Sequence, residues 1–200
     1  MEPNSFKKIL IISYSPLHRD PRILRQVQAL KNEYNISTIG DTPIVDSNIH
    51  HYNNSPNTIL YHKKINVKLH KLFYLLKHIY KYYPTILELK LNFEFIFTQN
   101  IKCPNIIIAN DWDGLYLASG LKNKYKWNSK IYFDAHEYAP KQFEEKIKWR
   151  IFMKPLIIKS LQDCKKDISI MSTVCDGIAK NYEKFFNFPS GSIRIITNTS

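Results

Sequence analysis

The sequence predicts an α/β fold: a Rossmann-like, doubly wound, mostly parallel sheet with helices on both faces. Its apolar runs are short, rich in β-branched residues and continuous, which is typical of strands buried on both faces of a parallel sheet. Segments with helical spacing of apolar residues separate these runs, and this alternation is the pattern of a doubly wound sheet. The predicted strands cover residues 8–14, 34–39, 58–61, 105–109, 130–134, 168–174 and 193–197.

The predicted helices lie between these strands. Asp20 precedes Pro21, and this pair predicts an N-cap followed by proline at the first helical position. A long apolar stripe predicts a helix over 67–83 that Pro84 ends or kinks. Further helices are predicted over 114–125, over 143–164 with a break near Pro155, and over 176–186.

The loop after the first predicted strand excludes two common classes of nucleotide-binding site. The chain has 200 residues with 29 Lys+Arg against 17 Asp+Glu, a net charge of +12, and we expect one domain over residues 1–200. The loop after the first predicted strand, SPLHRDPR, contains no glycine. A dinucleotide-binding turn needs G-x-G-x-x-G and a phosphate loop needs G-x-x-x-x-G-K-[ST], because the backbone must approach the phosphates closely. The sheet is therefore predicted to be Rossmann-like without a dinucleotide site.

Cysteine content and targeting signals predict a cytoplasmic location. The three cysteines, Cys103, Cys164 and Cys175, lack the number and spacing of a disulfide framework or a zinc knuckle. The first apolar run covers only residues 9–12, shorter than the ~7–15 residues of a secretory signal. No apolar stretch approaches the ~20 residues that span a bilayer. We expect a cytoplasmic protein that is peripheral to the inner face of the membrane if its basic segments bind lipid.

Polar side chains follow the predicted strands where a parallel sheet places function. Ligands bind at the carboxyl ends of the strands in open α/β sheets, so residues just after each strand are the candidates. Carboxylates and amides there can orient hydroxyl groups, and an imidazole can donate a hydrogen bond or carry charge near neutral pH. The candidates are His18, Asp20, Arg22, Asn110, Asp111, Trp112, Asp113, His136, Glu137 and Asn198.

Four segments, in order, resemble the amino-terminal, acceptor-side domain of retaining GT-B glycosyltransferases, with glycosyltransferase family 4 the best match. The opening ILIISYSPLHRDPRILRQVQAL resembles that family's first strand, loop and helix, and Asp20 and Arg22 match its Asp-x-Arg. NIIIANDWDGLYLASGL and KIYFDAHEYAP resemble two later strand ends. STVCDGIAKNYEKFF with IRIITN resembles a helix and the hinge strand. The resemblance covers most of residues 8–200 and is weakest over 41–104.

The resemblance implies half of a hexosyl-type transferase that moves a sugar, with retention, from a nucleotide-sugar to a glycan or lipid-linked acceptor in cell-surface polysaccharide synthesis. In that family a second domain holds most of the nucleotide-sugar, which is a co-substrate, so no tightly bound cofactor is expected. This chain then needs a carboxyl-terminal domain or partner subunit, and alone it should be inactive. Glu137 and Glu145 have the Glu-x7-Glu spacing of that second domain, but they lie in the wrong half.

By resemblance, His136 and Asp20 are the catalytic candidates, and His136 would contact the donor sugar or the transferring centre. The other candidates would bind substrate: His18, Arg22, Asn110, Asp111, Trp112, Glu137 and Asn198. Structural alternatives stay open, because His136 could bond a neighbouring loop, Asp20 and Asp113 could cap helices, and Arg22 could pair with Asp20. No metal site is expected. Glycoside hydrolysis remains an alternative, since it needs two carboxyl groups flanking one bond.

Most of the positive charge lies in two amphipathic segments. Residues 61–90 hold 7 Lys and 1 acid, and residues 141–166 hold 8 Lys/Arg and 3 acids. Such segments suit an anionic membrane surface, and they equally suit a solvated basic face over core helices. The predicted membrane-facing residues are Lys71, Lys77, Lys81, Lys148 and Arg150. The alternative function is a non-catalytic basic module on membrane or nucleic acid; no nucleic acid is expected, because no recognised motif is present.

Overall fold

The computed structural model describes residues 7–54 and 83–197. These residues form seven strands: β1 Lys8–Ile12, β2 Asn35–Gly40, β3 His50–Asn53, β4 Ile106–Asn110, β5 Lys130–Ala135, β6 Ile168–Thr173 and β7 Arg194–Ile195. They also form six α-helices: α1 Pro21–Leu30, α2 Tyr83–Lys90, α3 Phe93–Thr98, α4 Asp111–Tyr125, α5 Ile147–Cys164 and α6 Asp176–Phe186. Short 3₁₀ turns at Ala139–Lys141 and Lys165–Asp167 flank α5.

The strands form one parallel sheet in the order β3-β2-β1-β4-β5-β6-β7. The chain starts in the middle, builds outward from β1 to β3, then returns to place β4 beside β1 and builds outward in the other direction. This reversal of strand order is the switch point of a doubly wound sheet, where ligands bind at the carboxyl edge. The predicted α/β, Rossmann-like fold class is confirmed.

Both faces of the sheet are buried, which explains the continuous apolar runs. Successive side chains of a strand point to opposite faces, and β1 contributes Ile9 and Ile11 to one core and Leu10 and Ile12 to the other. Helix α1 covers the first face with Ile23, whereas helices α4, α5 and α6 pack on the second. Because β1 packs against apolar side chains on both faces, its polar and apolar residues do not alternate.

Several features of the sheet and helices differ from the sequence-based predictions, among them α2 and α3, which no predicted helix covered apart from Tyr83. Strand β3 was missed because its sequence, HHYN, contains no apolar run. Helix α4 begins at Asp111, three residues earlier than predicted, so Asp113 lies inside the helix and the predicted cap there is wrong. The strand predicted over 58–61 and the helix predicted over 67–83 lie outside the described residues, apart from Tyr83, which begins α2.

The predicted break at Pro155 is also wrong, because α5 continues through this residue. Proline removes the hydrogen bond to the carbonyl four residues earlier, which belongs to Ile151. Since Ile151 is exposed, water can bond that carbonyl, and the helix continues. Helix α5 begins at Ile147, four residues later than predicted. Within residues 7–54 and 83–197, no helix combines the length and apolar character needed to cross a membrane.

Candidate functional site

The first loop is held by Asp20, which caps α1 as predicted. Asp20 has extended backbone geometry, and its Oδ1 accepts the backbone N–H of Arg22 at 3.0 Å. The same carboxylate accepts Ser15 Oγ at 2.6 Å and the Arg22 side chain through Nε at 3.0 Å and Nη2 at 2.9 Å. Burial raises the pKa of Asp20, but the bonds from Ser15 and Arg22 outweigh it and keep that pKa below its usual value. Asp20 is therefore ionised and fully engaged inside the protein.

Arg22 joins this loop to the end of β4. Its Nη1 donates to Asp111 Oδ2 at 3.1 Å, so one guanidinium bridges two carboxylates. Burial lowers the pKa of Arg22, whereas Asp111 and Asp20 raise it, and the net direction is upward. The structure thus includes both the predicted pairing of Arg22 with Asp20 and a second partner that is 89 residues away in the sequence.

Asp111 connects β4 to the end of β5. Its Oδ1 accepts the backbone N–H of His136 at 3.1 Å. Asp111 has a φ of 59°, a left-handed conformation that few non-glycine residues adopt and that recurs at functional sites. Three strand ends therefore meet around one carboxylate, and His136, Asp20 and Asp111 share the carboxyl edge of the sheet, as the sequence predicted.

The His136 side chain faces a buried acid that the sequence analysis missed. His136 Nε2 lies 3.5 Å from Asp134 Oδ2. Asp134 also accepts Gln26 Nε2 at 3.0 Å and Ser172 Oγ at 2.5 Å, and Ser172 in turn accepts the Tyr132 hydroxyl at 2.6 Å. Burial raises the pKa of Asp134, but the bonds from His136 and Ser172 reverse the direction and lower it. This ionised acid lies beside the imidazole of His136.

A cavity of about 280 Å³ lies beside this group of residues. It opens between α1, the end of β5 and the segment after β7. Two arginines, an amide, a phenol, a carboxylate and the imidazole are among the side chains that line it. The lining residues are Arg22, Arg25, Gln26, Tyr132, Asp134, His136, Ile196 and Thr197.

Two solved structures that are similar to this chain are a sucrose-phosphate synthase and a galactosyltransferase. A sucrose-phosphate synthase from Thermosynechococcus elongatus has a TM-score of 0.56 at 10% identity, covering 97% of this chain and 48% of that chain. The apo lipopolysaccharide outer core galactosyltransferase WaaB has a TM-score of 0.51 at 13% identity, covering 96% of this chain and 46% of that chain. The fold is one half of a GT-B architecture.

This similarity is one of fold. The chain spans a little under half the length of each of these two neighbours. No protein-family model matches the sequence, and no curated protein matches it either. At these levels of identity the role of each side chain has to be argued from its own surroundings.

Three other predicted residues lie around this site with different exposures. Asn110 is fully buried, and its amide bonds Ile12 O and Gln26, so it supports the site from beneath rather than lining it. Trp112 is partly exposed, and the Lys90 ammonium lies 5.9 Å from the centroid of its ring. Glu137 is exposed. Their contacts with substrate stay predictions.

The remaining predicted site residues are more distant or outside the described part of the chain. His18 is exposed and its Nδ1 lies 2.7 Å from Thr42 Oγ1, on the β2 side. Lys148 and Arg150 are exposed on the first turn of α5. Asn198, Lys71, Lys77 and Lys81 lie outside the described residues. Within residues 7–54 and 83–197, no group of three or more His, Cys, Asp or Glu side chains is placed to hold a metal ion.

Gln26, Asp134 and Ser172 belong to the site but are not among the residues that the sequence predicts. Gln26 lies on α1 and reaches both Asn110 and Asp134. Asp134 and Ser172 were counted as parts of apolar strands. A signal was present nevertheless, because a carboxylate in the last residues of a buried strand, two residues before a histidine, is costly unless it is paired.

Asp113 adds a second, protonatable carboxyl behind the site. Burial and the nearby charge of Asp111 raise its pKa to about 7. Its Oδ1 accepts the Gly114 N–H at 2.8 Å, and Lys90 is a nearby cation. Because the folded-state pKa exceeds the unfolded value of about 3.9, the folded protein holds a proton that the unfolded chain releases. The free energy of unfolding therefore decreases as pH rises from about 3.9 to about 7.

We expect Asp113→Asn to be more stable relative to the wild type at pH 7.5 than at pH 5, by about 1–2 kcal/mol. Asparagine keeps the acceptor for Gly114 and removes the titrating proton. Urea unfolding at the two pH values measures the difference. Exposed Glu33→Gln is the control and should follow the wild type at both. If Asp113→Asn changed the free energy of unfolding by the same amount at both pH values, the raised pKa of Asp113 would be contradicted.

Proposed function

We propose that this chain is the acceptor-binding half of a glycosyltransferase that moves a sugar, with retention, from a nucleotide-sugar to a glycan or lipid-linked acceptor. A second domain or partner subunit would hold most of the donor, which is a co-substrate rather than a resident cofactor. The product class we propose is a cell-surface polysaccharide. The expected location is the cytoplasm, where nucleotide-sugars and free thiols such as Cys103, Cys164 and Cys175 coexist.

The observation that carries the proposal is the joining of three strand ends at the sheet's switch point. Arg22 bridges Asp20 and Asp111, and Asp111 holds the backbone of His136. The fold on which this arrangement sits is one half of the architecture of known glycosyltransferases. A site made from three different loops is a site for a ligand that lies across the edge of the sheet.

The charges of this site suit glycosyl transfer. Asp134 has a lowered pKa and is ionised at neutral pH, and it lines the cavity together with Arg22 and Arg25. The carboxylate would stabilise an oxocarbenium-like centre, and the guanidinium groups would stabilise the departing phosphate. The imidazole of His136 would donate to a sugar hydroxyl or to the departing oxygen, and Asp134 would hold it in place. Transfer would rest on positioning and electrostatics.

The test measures nucleotide release. The enzyme that joins this chain to its donor-binding half is incubated with UDP-glucose, UDP-galactose, UDP-N-acetylglucosamine or GDP-mannose and a lipid extract or oligosaccharide acceptor. We expect acceptor-dependent release of UDP or GDP from one donor, and none from residues 1–200 alone. The anomeric configuration of the product, read by NMR, tests retention.

Two results would contradict the proposal. Turnover by residues 1–200 alone would overturn the half-enzyme assignment. Water acting as the sole acceptor, with free sugar as product, would favour the glycosidase alternative instead.

A further inference from the structure

The start of α5 carries apolar side chains that the fold leaves in solvent. Ile147 is 63% exposed and Ile151 is 53% exposed, although a folded core normally takes up such residues. They are four residues apart and share one face of the helix. Trp149 and Met153, on the other side of the same turns, pack against the core. The outward stripe is therefore separate from the helix's structural face.

Phe143 extends this stripe before the helix begins. Its φ is 52°, a left-handed conformation that is unfavourable for a bulky residue and needs support from its surroundings. The ring is 45% exposed. Lys146 Nζ lies 4.3 Å from its centroid, and the Trp149 ring packs edge-on at 6.4 Å. The aromatic side chain is thus held at the surface by a specific local arrangement.

Cations surround the stripe in positions that do not favour the helix itself. Lys148 and Arg150 are exposed on its first turn, Lys146 precedes it, and this turn contains no acidic residue. The N-terminus of a helix carries partial positive charge, so cations there are repelled. Nearby acids are Glu145 and Glu144, and Glu144 already pairs with Lys154 at 2.5 Å. Intrinsic helix stability does not explain this charge pattern.

We propose that this surface, formed by Phe143, Lys146, Ile147, Lys148, Arg150 and Ile151, docks on an anionic lipid bilayer. The isoleucines and Phe143 would enter the boundary between headgroups and acyl chains, and the cations would face the lipid phosphates. Charge complementarity alone would also suit nucleic acid, but a phosphate backbone offers no partner for an exposed apolar stripe. The combination of apolar and basic side chains favours the membrane.

Docking would place the candidate site near the membrane. Helix α5 follows β5 after the turn that begins at His136, so it starts from the same edge of the sheet. A lipid-linked acceptor would then reach the cleft without leaving the bilayer. That consequence rests on the proposed function, whereas the docking itself does not, and vesicle binding tests it without any assay of transfer.

The experiment measures co-sedimentation with vesicles of phosphatidylcholine alone or mixed equally with phosphatidylglycerol. We expect binding to the anionic vesicles only, and a decrease of roughly tenfold or more in the partition coefficient for both Ile147→Ser/Ile151→Ser and Lys148→Glu/Arg150→Glu. Val45→Ser removes a more exposed apolar residue (98% exposed) elsewhere. Lys102→Glu/Lys130→Glu reverses two exposed cations elsewhere. Both controls should bind like the wild type.

A second measurement does not depend on loss of binding. A solvent-sensitive dye on Ile151→Cys, with Cys103→Ser and Cys175→Ser to direct the label, should brighten and shift to the blue when anionic vesicles are added. No change in emission while the protein sediments with the vesicles would overturn the proposed orientation.

Other partners of this surface would give different results. Binding to a polyuridylate oligomer that is lost in Lys148→Glu/Arg150→Glu but kept in Ile147→Ser/Ile151→Ser, without vesicle binding, would overturn the proposal in favour of RNA. A dimer in light scattering that Ile147→Ser/Ile151→Ser converts to a monomer, without vesicle binding, would overturn it in favour of a second copy of the chain.

Discussion

Replacement of His136 by alanine is expected to lower kcat of the complete enzyme by roughly 100-fold or more, the usual loss when a group that transfers a proton or stabilises developing charge is removed. The side chain is 14% exposed at the cleft, and Nε2 is 3.5 Å from Asp134 Oδ2. The bond from His136 to Asp111 uses the backbone N–H, so alanine keeps it. The substitution removes the ring and leaves the loop anchored.

Because the anchor survives, the fold should survive too. We expect His136→Ala to stay folded with a lowered thermal midpoint, because buried Asp134 loses a bond that lowers its pKa. KM for the acceptor should change less than kcat, since an interaction made mainly in the transition state affects kcat most. His50→Ala is the matched control: this exposed histidine lies at the amino end of edge strand β3, away from the site. An unchanged kcat in His136→Ala with an intact fold would end its candidacy as a catalytic residue.

Asp134→Asn tests how the ring is held. If Asp134 positions His136, its amide variant should lower kcat and change the pH dependence of kcat, whereas a purely structural role would change stability alone. Ser172 donates to Oδ1 of Asp134 and Gln26 donates to Oδ2, so asparagine, with one acceptor oxygen, keeps only one of these two bonds, and the unfolding curve must be compared with the pH–rate profile. The readout is the pH–rate profile beside a urea unfolding curve.

The sequence predicted most of the sheet because each buried strand has its own continuous run of apolar residues. Buried parallel strands such as β1 and β4 need continuous apolar residues. The start of α1 is marked in the sequence by its N-cap, Asp20, and by Pro21 at its first position. Strand β3 has no such signal, since its backbone pairs with β2 while its side chains are histidine, tyrosine and asparagine. Its existence depends on a neighbour that the local sequence does not reveal.

Site geometry was predicted only where it depends on strand order. The carboxyl ends of β1, β4 and β5 must meet in a doubly wound sheet, so the proximity of Asp20, Asp111 and His136 followed from the fold. The individual hydrogen bonds did not follow, because they depend on side-chain and backbone geometry such as the left-handed φ of 59° at Asp111, which bonds Arg22. Helix α4 begins at this residue, three residues earlier than predicted, and nothing in the sequence DWDG distinguishes that conformation from an ordinary cap.

Replacement of Arg22 by methionine is expected to lower the free energy of unfolding by about 2–4 kcal/mol at pH 7, below the usual loss for a fully buried pair because Asp111 is partly in solvent. Arg22 supplies three side-chain hydrogen bonds, two to Asp20 and one to Asp111. The Asp20 side chain is only 7% exposed. Without the guanidinium, the Asp20 carboxylate stays buried and loses the cation that pairs with it.

The loss should depend on pH in a direction fixed by Asp20. Its folded-state pKa lies below its unfolded value, so in the wild type it contributes stability above about pH 4 that is lost as pH falls through the folded pKa. In Arg22→Met that pKa rises, because the hydrogen bonds and charge that lowered it are gone. The gap in stability between the variant and the wild type should therefore narrow on acidification from pH 7 to pH 4, as measured by urea unfolding.

Two further variants separate the ion pairs from the loss of a large side chain. Arg19→Met, in the same loop but exposed, should change stability by less than about 0.5 kcal/mol. Arg22→Lys keeps one positive charge without the planar fork that reaches both carboxylates, so it should lie between Arg22→Met and the wild type. If Arg22→Met lost the same free energy at pH 4 as at pH 7, burial of its methylene groups would account for the loss, and the two carboxylates would not depend on Arg22 for their charge.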